Sequence, residues 1–218
     1  RRELMTLTTS EQRRFRREVD RMVDKPLVSI LMPVFNTPAD FLREAIRSVK
    51  AQVYPRWQLC LVDDASTSEA TLRVLKEEAA RDERIVLERR EDNGGIATAS
   101  NTALRLAEGS LIILMDHDDL LTPLAVLRVV QASATHGADF IYSDEGIINT
   151  AGDFTGGTYR PAFSPAYLRS HPYIVHMVAF STRLLRDIGG FTDGLQVSQD
   201  YDLMLRAAEI GRASCRER

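Results

Sequence analysis

Short apolar runs alternate with amphipathic stretches along the chain, and this alternation predicts strands that are each followed by a helix. The first apolar run, residues 28–32, is followed by Thr37 and Pro38, which mark a helix start, and then by an apolar stripe. The same pattern predicts strands at 57–62, 84–88, 111–115 and 139–142, and helices at 71–80, 96–107 and 123–136. We therefore expect an α/β domain with a mostly parallel central sheet flanked by helices.

The regular alternation weakens after residue 142. Glycines and turn residues at 147–158 predict a hairpin and loop, and the apolar run at 174–180 predicts another strand. Because it lies on this apolar run, His176 is expected to be a core histidine rather than a ligand. Ser181 is expected to cap a short helix, and residues 199–210 form a further amphipathic helix.

Polar side chains follow several of the predicted strands at the point where each strand ends. Asn36 follows the first strand, Asp63 and Asp64 the second, and Asp116 and Asp118 the strand at 111–115. Ligands of open α/β sheets bind at the carboxyl ends of the strands, so these side chains are expected to converge there.

The segment from Asp116 to Asp119 places three carboxylates within four residues. Like charges this close raise each other's pKa, and a divalent cation with oxygen ligands, Mg²⁺ or Mn²⁺, would relieve the repulsion. Two simpler interpretations are a solvated acidic turn and, for Asp119, a cap on the helix that follows. His117 is expected to be a spacer, since a hard metal gains little from imidazole.

Composition narrows the class of protein. The 28 basic and 31 acidic residues give a net charge of −3, so nothing favours a nucleic-acid partner. The two cysteines, Cys60 and Cys215, suit neither a disulfide framework nor a zinc site, which fits a reducing compartment. No apolar run approaches the ~20 residues that span a membrane, and we expect a cytoplasmic protein.

Both ends differ from the middle of the chain. Residues 1–25 contain eight basic and five acidic residues and are predicted to form a charged helical lead-in. Residues 211–218 are expected to be a truncation edge or a foreign tail, because they break the preceding helical pattern. The intervening residues 26–210 are expected to form the functional domain.

Six segments occur in order at regular intervals. They are VSILMPVFN (28–36), LVDDAS (61–66), NGGIATASN (93–101), LMDHDD (114–119), GGF (189–191) and SQDYDLMLR (198–206). Together they resemble the family 2 glycosyltransferases, which are inverting enzymes with a nucleotide-sugar-binding, Rossmann-like fold of the GT-A type. The chain is most similar to bacterial members that build O-antigen and other surface polysaccharides, over about residues 26–210.

The resemblance implies a nucleoside-diphosphate sugar as donor, with UDP or dTDP as the nucleotide. The donor-binding residues that it implies are Pro33, Phe35, Asn36, Asp63, Asp64, Asn93, Gly94 and Asp116. Pro33 and Phe35 would line the nucleobase pocket, and Asp64 would hydrogen-bond the base. Asp63 is either structural or ribose-facing. The Asn93 and Gly94 turn either leaves room for the diphosphate or is a plain turn before a helix.

The resemblance implies that three aspartates bind the metal or take part in the reaction. Asp118 would ligate Mg²⁺ or Mn²⁺, and Asp116 would face the ribose or the metal and its water. Asp200 would be the base that accepts the proton of the attacking hydroxyl. Asp202 is a competing base on another helix face, and Asp200 alternatively only caps the helix. Many relatives have Glu where this chain has Gln199.

The acceptor side is less defined. Asp144 and Glu145 resemble an acidic pair of the polysaccharide-building subgroup, and with Gln199 they would face the donor sugar or the acceptor. The acceptor implied is a glycan or a lipid-linked glycan, with peripheral association at the inner membrane face. Two other functions are weighed, a non-catalytic nucleotide-sugar-binding module and a sugar nucleotidyltransferase. The latter usually needs a glycine-rich basic loop after the first strand, which MPVFNTP lacks.

Overall fold

The structure, a computed structural model, describes residues 6–195, 198–210 and 214–217. The strands are β1 (Val28–Val34), β2 (Trp57–Asp63), β3 (Ile85–Arg89), β4 (Leu111–Leu114), β5 (Phe140–Ser143), β6 (Glu145–Ile148), β7 (Phe154–Thr158), β8 (Val178–Ser181) and β9 (Ser214–Glu217). The helices are α1 (Thr9–Arg21), α2 (Ala39–Lys50), α3 (Glu69–Arg81), α4 (Gly95–Leu106), α5 (Ala125–His136), α6 (Pro165–Ser170), α7 (Thr182–Asp187) and α8 (Gln199–Ile210).

Seven of these strands form one sheet in the order β3-β2-β1-β4-β8-β5-β9. All neighbouring pairs are parallel except those of β8, which runs antiparallel to both β4 and β5. The predicted α/β fold with a mostly parallel sheet is confirmed. Because β2, β1 and β4 are parallel neighbours, their carboxyl ends lie side by side at one edge, which we call the carboxyl edge.

Helices cover both faces of the sheet, and successive strand residues point to opposite faces. In β1, Ile30 and Met32 join the core under α2, α3 and α5, whereas Leu31 joins the core under α4, α7 and α8. The strands are therefore apolar on both faces, as expected of a buried parallel sheet.

Several element boundaries differ from the prediction. The helix after β1 is capped by Pro38, with no side-chain cap, whereas Thr37 is buried and its carbonyl accepts a hydrogen bond from Thr71. Ser181 caps α7 through the backbone N–H of Leu184, as predicted. The strand predicted at 174–180 begins only at Val178, so His176 lies in the segment before it.

The two ends are partly described. The predicted helical lead-in contains α1, whose Phe15 and Val19 are buried in the domain core; residues 1–5 lie outside the described residues. In the predicted tail, residues 211–213 and 218 also lie outside them. Residues 214–217 form β9 beside β5, a strand that the sequence analysis did not predict. Among the helices of the described ranges, none combines the length and apolarity needed to cross a bilayer.

We expect Gly109→Ala to destabilise the fold by about 1–3 kcal/mol, because the added methyl overpacks a rigid contact. A Cβ at Gly109 would lie 2.6 Å from the Leu27 carbonyl oxygen and 2.7 Å from the Ser29 nitrogen, backbone atoms at the start of β1. Gly156→Ala is the matched control, since its Cβ would meet nothing within 4 Å. Urea unfolding of both variants tests this, and an equal change in the two would contradict the overpacking argument.

Candidate active site at the carboxyl edge of the sheet

The loops that follow β1 and β2 are tied together by Asn36. Its Oδ1 accepts hydrogen bonds from the backbone N–H groups of Thr67 and Ser68, each at 2.9 Å, and its own N–H donates to Ser66 Oγ at 2.9 Å. Asn36 also has a φ of 49°, a left-handed conformation that asparagine tolerates better than most residues. The side chain of this predicted donor-binding residue therefore stabilises the loops themselves.

Asp63 has a similar supporting position. Its side chain is 1% exposed, with Oδ1 accepting from the Ser66 N–H at 3.1 Å and Oδ2 at 3.1 Å from Arg89 Nε. A carboxylate buried and paired in this way holds the β2 loop in place. Of the two predicted roles for Asp63, the structural one agrees with these contacts.

Asp64 lies at the N-terminus of α4. Its Oδ1 accepts from the Gly94 N–H at 3.0 Å and lies 2.8 Å from Arg90 Nε in an ion pair, and its Oδ2 accepts from the Gly95 N–H at 2.8 Å. Asn93 Nδ2 donates to the Asp64 carbonyl at 3.1 Å. The Gly94 and Gly95 amides, at the turn that one interpretation placed beside a diphosphate, are thus engaged by a carboxylate within the protein. This carboxylate neutralises the positive end of the helix dipole.

The two residues predicted for the nucleobase pocket differ in exposure. Pro33 lies within β1 and is buried, while Phe35, just beyond the strand, is 46% exposed. An exposed aromatic ring at the carboxyl edge of β1 is a suitable surface for a planar base.

Asp116, Asp119 and His176 form an acidic cluster with one histidine. Ligand atoms of the three residues lie within 4.8 Å of one another. A turn with the Asp119 N–H 3.2 Å from the Asp116 carbonyl oxygen brings the two acids together. Asp119 does not cap the next helix, as one interpretation had it, because α5 begins at Ala125 with Leu124 as its cap.

Asp118, the predicted metal ligand, is not a member of this cluster. Its side chain is 55% exposed, and its Oδ1 lies 3.7 Å from His117 Nδ1. Among the described residues, Asp116, Asp119 and His176 could jointly hold an ion, and ligation by Asp118 stays a prediction.

The expectation that His176 is a satisfied core histidine is wrong. Its Nε2 lies 3.1 Å from Asp116 Oδ2, and this hydrogen bond raises the pKa of His176 to about 9. The charges of Asp116, Asp119 and Asp200 act in the same direction, whereas burial opposes the shift. The buried Nδ1 has no hydrogen-bond partner among the described residues. Sequence pattern could not reveal this contact, since it follows from β8 inserting antiparallel beside β4.

Asp200, the predicted base, is within electrostatic reach of this cluster. It lies in the first turn of α8, where burial and the charge of Asp116 raise its pKa, although the charge of His176 partly opposes them. Gln199 is buried beside it, with Nε2 3.4 Å from Asp200 Oδ2. A carboxyl group with a raised pKa near other titratable groups is typical of a catalytic base.

Asp202, the competing base, has other partners. Its Oδ2 lies 2.7 Å from Arg206 Nη2 and accepts a hydrogen bond from Thr192 Oγ1 at 2.7 Å. The hydrogen bond from Arg206 lowers the pKa of Asp202, as does that from Thr192, although burial opposes them. Asp202 therefore belongs to a structural ion pair.

A cavity of about 840 Å³ opens beside the cluster. Asp118, Asp119 and His176 line it, together with Asp144 and Glu145 at the start of the β6–β7 hairpin. The cavity thus joins the predicted acceptor-side acids to the acidic segment after β4. Neither Asp64 nor Asp200 is among its lining residues, so the structure gathers these sites along one edge rather than in one cavity.

The residues of the cluster suit a divalent cation. Burial raises the pKa of Asp119, and the neighbouring charges of Asp116, Asp118 and Glu145 raise it further against the opposing charge of His176. A cation would relieve this repulsion. Two carboxylates with one imidazole favour Mn²⁺ over Mg²⁺, because Mg²⁺ prefers oxygen ligands alone.

Comparison with known proteins identifies the family of the chain. Residues 29–188 match the family described as Glycosyl transferase family 2. The chain is 34% identical over 192 residues to the O-antigen biosynthesis protein RfbC of Myxococcus xanthus, covering 88% of this chain and 15% of that protein. It is 35% identical over 205 residues to the putative colanic acid biosynthesis glycosyl transferase WcaA of Escherichia coli K12, covering 85% and 67%. The chain spans between 15% and 27% of the length of three of the curated relatives that it matches, RfbC among them.

Solved structures share the fold. Staphylococcus aureus TarS 1-349 in complex with UDP-GlcNAc aligns with a TM-score of 0.72 at 19% identity, covering 87% of this chain and 55% of that one. The mannosyltransferase PcManGT from Pyrobaculum calidifontis, in complex with GDP-Man and Mn²⁺, aligns with a TM-score of 0.67 at 19% identity, covering 95% and 61%. The family match spans most of the α/β domain, including β1, β2, β4 and the acidic cluster, and the chain therefore belongs to glycosyl transferase family 2.

Proposed function

We propose that this chain transfers a sugar, with inversion, from a nucleoside-diphosphate sugar to a hydroxyl of a glycan or lipid-linked acceptor. The observation that carries the proposal is the acidic cluster of Asp116, Asp119 and His176 within electrostatic reach of a half-buried Asp200. The names of RfbC and WcaA support a role in the synthesis of bacterial surface polysaccharide.

The donor nucleotide is proposed to lie over the ends of β1 and β2. Asp64 Oδ2 accepts one protein hydrogen bond, from the Gly95 N–H, and each carboxylate oxygen has room for about two. The remaining acceptor position suits the ring N–H of uracil or thymine, with Phe35 available to stack on the base. This favours UDP or dTDP as the nucleotide.

The leaving diphosphate requires positive charge. The cluster residues Asp116, Asp119 and His176 would hold Mn²⁺ or Mg²⁺, and Asp118 stands beside them at the cavity wall. When bound, the ion supplies a Lewis acid that stabilises negative charge on the phosphate oxygens. PcManGT supports this assignment, since its complex contains Mn²⁺.

Asp200 is proposed to accept the proton of the acceptor hydroxyl. As that oxygen forms its bond to the anomeric carbon, the bond from the carbon to the diphosphate oxygen breaks on the opposite face, which inverts the configuration. The nucleoside diphosphate leaves with the bonding electrons, and the proton stays on Asp200. The raised pKa of Asp200 makes this carboxylate a stronger base than an exposed aspartate.

The acceptor is proposed to enter through the 840 Å³ cavity. Asp144 Oδ1 accepts from the Arg160 N–H at 2.7 Å, and Glu145 pairs with the Arg160 guanidinium, so this wall is held in shape. Phe154 and Tyr159 supply exposed rings on which sugar faces can pack. A lipid-linked acceptor would place the reaction at a membrane surface, where the arginines of α1 suit anionic headgroups.

The test is turnover with defined donors. We expect the purified chain to release UDP, dTDP or GDP from one of UDP-GlcNAc, UDP-glucose, UDP-galactose, dTDP-rhamnose or GDP-mannose when Mn²⁺ is present, and to stop when EDTA is added. Mass spectrometry of added glycan acceptors identifies the glycoside.

Two outcomes would contradict the proposal. Binding of the nucleotide sugars without any turnover, including hydrolysis, would favour the non-catalytic module. Consumption of a nucleoside triphosphate and a sugar phosphate would favour nucleotidyl transfer.

A further inference from the structure

Two residues that end sequence motifs, Asn101 and Phe191, have no role in the proposed chemistry, and the structure brings them together. Asn101, the last residue of NGGIATASN, contacts Phe191, the last residue of GGF. Its Nδ2 donates to the Phe191 carbonyl at 2.9 Å, and its Oδ1 accepts from the Phe191 N–H at 2.9 Å. One side-chain amide thus satisfies both backbone groups of a residue distant in sequence, in the manner of a strand pair.

Two independent observations show why a glycine is needed at position 190. Gly190 has a φ of +71°, a conformation that L residues rarely adopt. A Cβ there would also lie 2.6 Å from Asn101 Oδ1 and 3.3 Å from Leu104 Cδ2. The glycine therefore permits the close approach that the two hydrogen bonds of Asn101 require.

The contact continues along the same loop to α8. Asp193 Oδ1 lies 3.3 Å from Asn101 Nδ2 and 3.4 Å from Thr98 Oγ1, both on α4. The intervening Thr192 donates from Oγ1 to Asp202 Oδ2 on α8 at 2.7 Å.

A second attachment holds the other side of the loop. Arg206 of α8 pairs with Asp202 and donates from Nη1 to the Ile188 carbonyl at 2.7 Å. Residues 188–193 are therefore fastened to α4 on one side and to the first two turns of α8 on the other.

The first turn of α8 carries Asp200. We propose that Asn101 is a positioning residue for this base: by fixing the Phe191 backbone to α4, it sets the position of the turn from which the Asp200 carboxylate reaches the acceptor. The inference rests on the proposed function. The N-terminal amides of helix α4 donate to Asp64. The same helix therefore connects the proposed nucleotide-binding residues to the loop that holds the first turn of α8.

The test compares Asn101→Ala with the wild type, using UDP binding and UDP-GlcNAc turnover as probes, or the donor that the screen identifies. We expect kcat to fall about 10- to 100-fold, because small displacements of a reacting group have effects of this size. The Kd of UDP should stay within about twofold, since Asp64 and Phe35 are untouched. Thr8→Ala, which loses the cap of the remote helix α1, is the control and should change neither value.

Hydrogen exchange gives a readout that does not depend on activity. Peptides covering residues 190–204 should exchange faster in Asn101→Ala than in the wild type, both at Phe191 and in the first turn of α8. Asn101→Asp keeps the acceptor oxygen for Phe191 and should show an intermediate effect; it also serves if Asn101→Ala does not fold.

Several results would overturn the positioning role. One is unchanged kcat in a variant whose Phe191 amide exchanges faster; another is unaltered exchange in α8. A parallel loss of kcat, UDP affinity and thermal stability would indicate general damage instead. Absence of turnover in the wild type would contradict the proposed function. Hydrogen exchange in α8 of Asn101→Ala would still show whether Asn101 holds the first turn of that helix in place.

Discussion

Asp200→Asn is expected to lower kcat by about 10²- to 10⁴-fold while the affinity for the donor nucleotide changes little. An amide has nearly the shape of the carboxylate but cannot accept the proton of the acceptor hydroxyl. Asp200 is half-buried beside Gln199 and takes no part in the Asp202–Arg206 ion pair, so the substitution should leave the fold intact. Steady-state kinetics with the identified donor, together with UDP titration, measures the two effects separately.

The pH profile sharpens this prediction. A base works only when ionised, so wild-type kcat should rise with pH through the pKa of Asp200, which burial and Asp116 place above that of an ordinary aspartate. This acid limb should vanish in Asp200→Asn. Asp202→Asn is the comparison: it removes the negative charge that pairs with Arg206 and lowers kcat, yet it should retain the limb. Full turnover in Asp200→Asn, or loss of the limb in Asp202→Asn, would remove Asp200 from its role.

The sequence was sufficient for the parallel part of the fold because its signals are local. Each apolar run of β1, β2 and β4 is followed by polar residues, and parallel strands bring such residues to one edge. Asn36, Asp64 and Asp116 were therefore placed at the correct edge. Their contacts were not predictable, because whether Asn36 faces a ligand or the Ser66–Ser68 backbone depends on the shape of two loops.

Long-range features account for the remaining differences. His176 appeared to be a strand residue because its neighbours are apolar, and only the antiparallel insertion of β8 next to β4 brings it to Asp116. Whether Asp118 or Asp119 lies beside Asp116 depends on the four-residue turn from Asp116 to Asp119. The pattern of apolar and polar residues does not predict the conformation of this turn. The pairing of Asn101 with Phe191 likewise joins two motifs that the sequence shows only as separate segments.

Metal binding should distinguish the ligand pair predicted from the sequence, Asp116 and Asp118, from the cluster of Asp116, Asp119 and His176. We expect Asp116→Asn, Asp119→Asn and His176→Gln each to weaken Mn²⁺ binding by about 10²-fold, since even outer groups of metal sites contribute 10- to 100-fold. Asp118→Asn is the matched control, because Asp118 stands outside the cluster, and we expect a smaller change than in any of the three cluster variants. Calorimetry or Mn²⁺ relaxation in the presence of UDP measures these affinities. A large loss in Asp118→Asn with none in Asp119→Asn would restore the ligand pair of the sequence-based prediction.

The pH dependence of Mn²⁺ binding tests the role of His176 separately. The hydrogen bond to Asp116 and the charges of the nearby carboxylates raise the pKa of His176 from 6.5 to about 9, although burial opposes them. Below pH 9 the imidazole is therefore protonated in the free protein. A ligand nitrogen must lose this proton, and affinity should therefore rise about tenfold per pH unit between pH 6.5 and 9. His176→Gln should flatten this slope. An equally steep slope in the variant would mean that the proton released comes from another group and that His176 only pairs with Asp116.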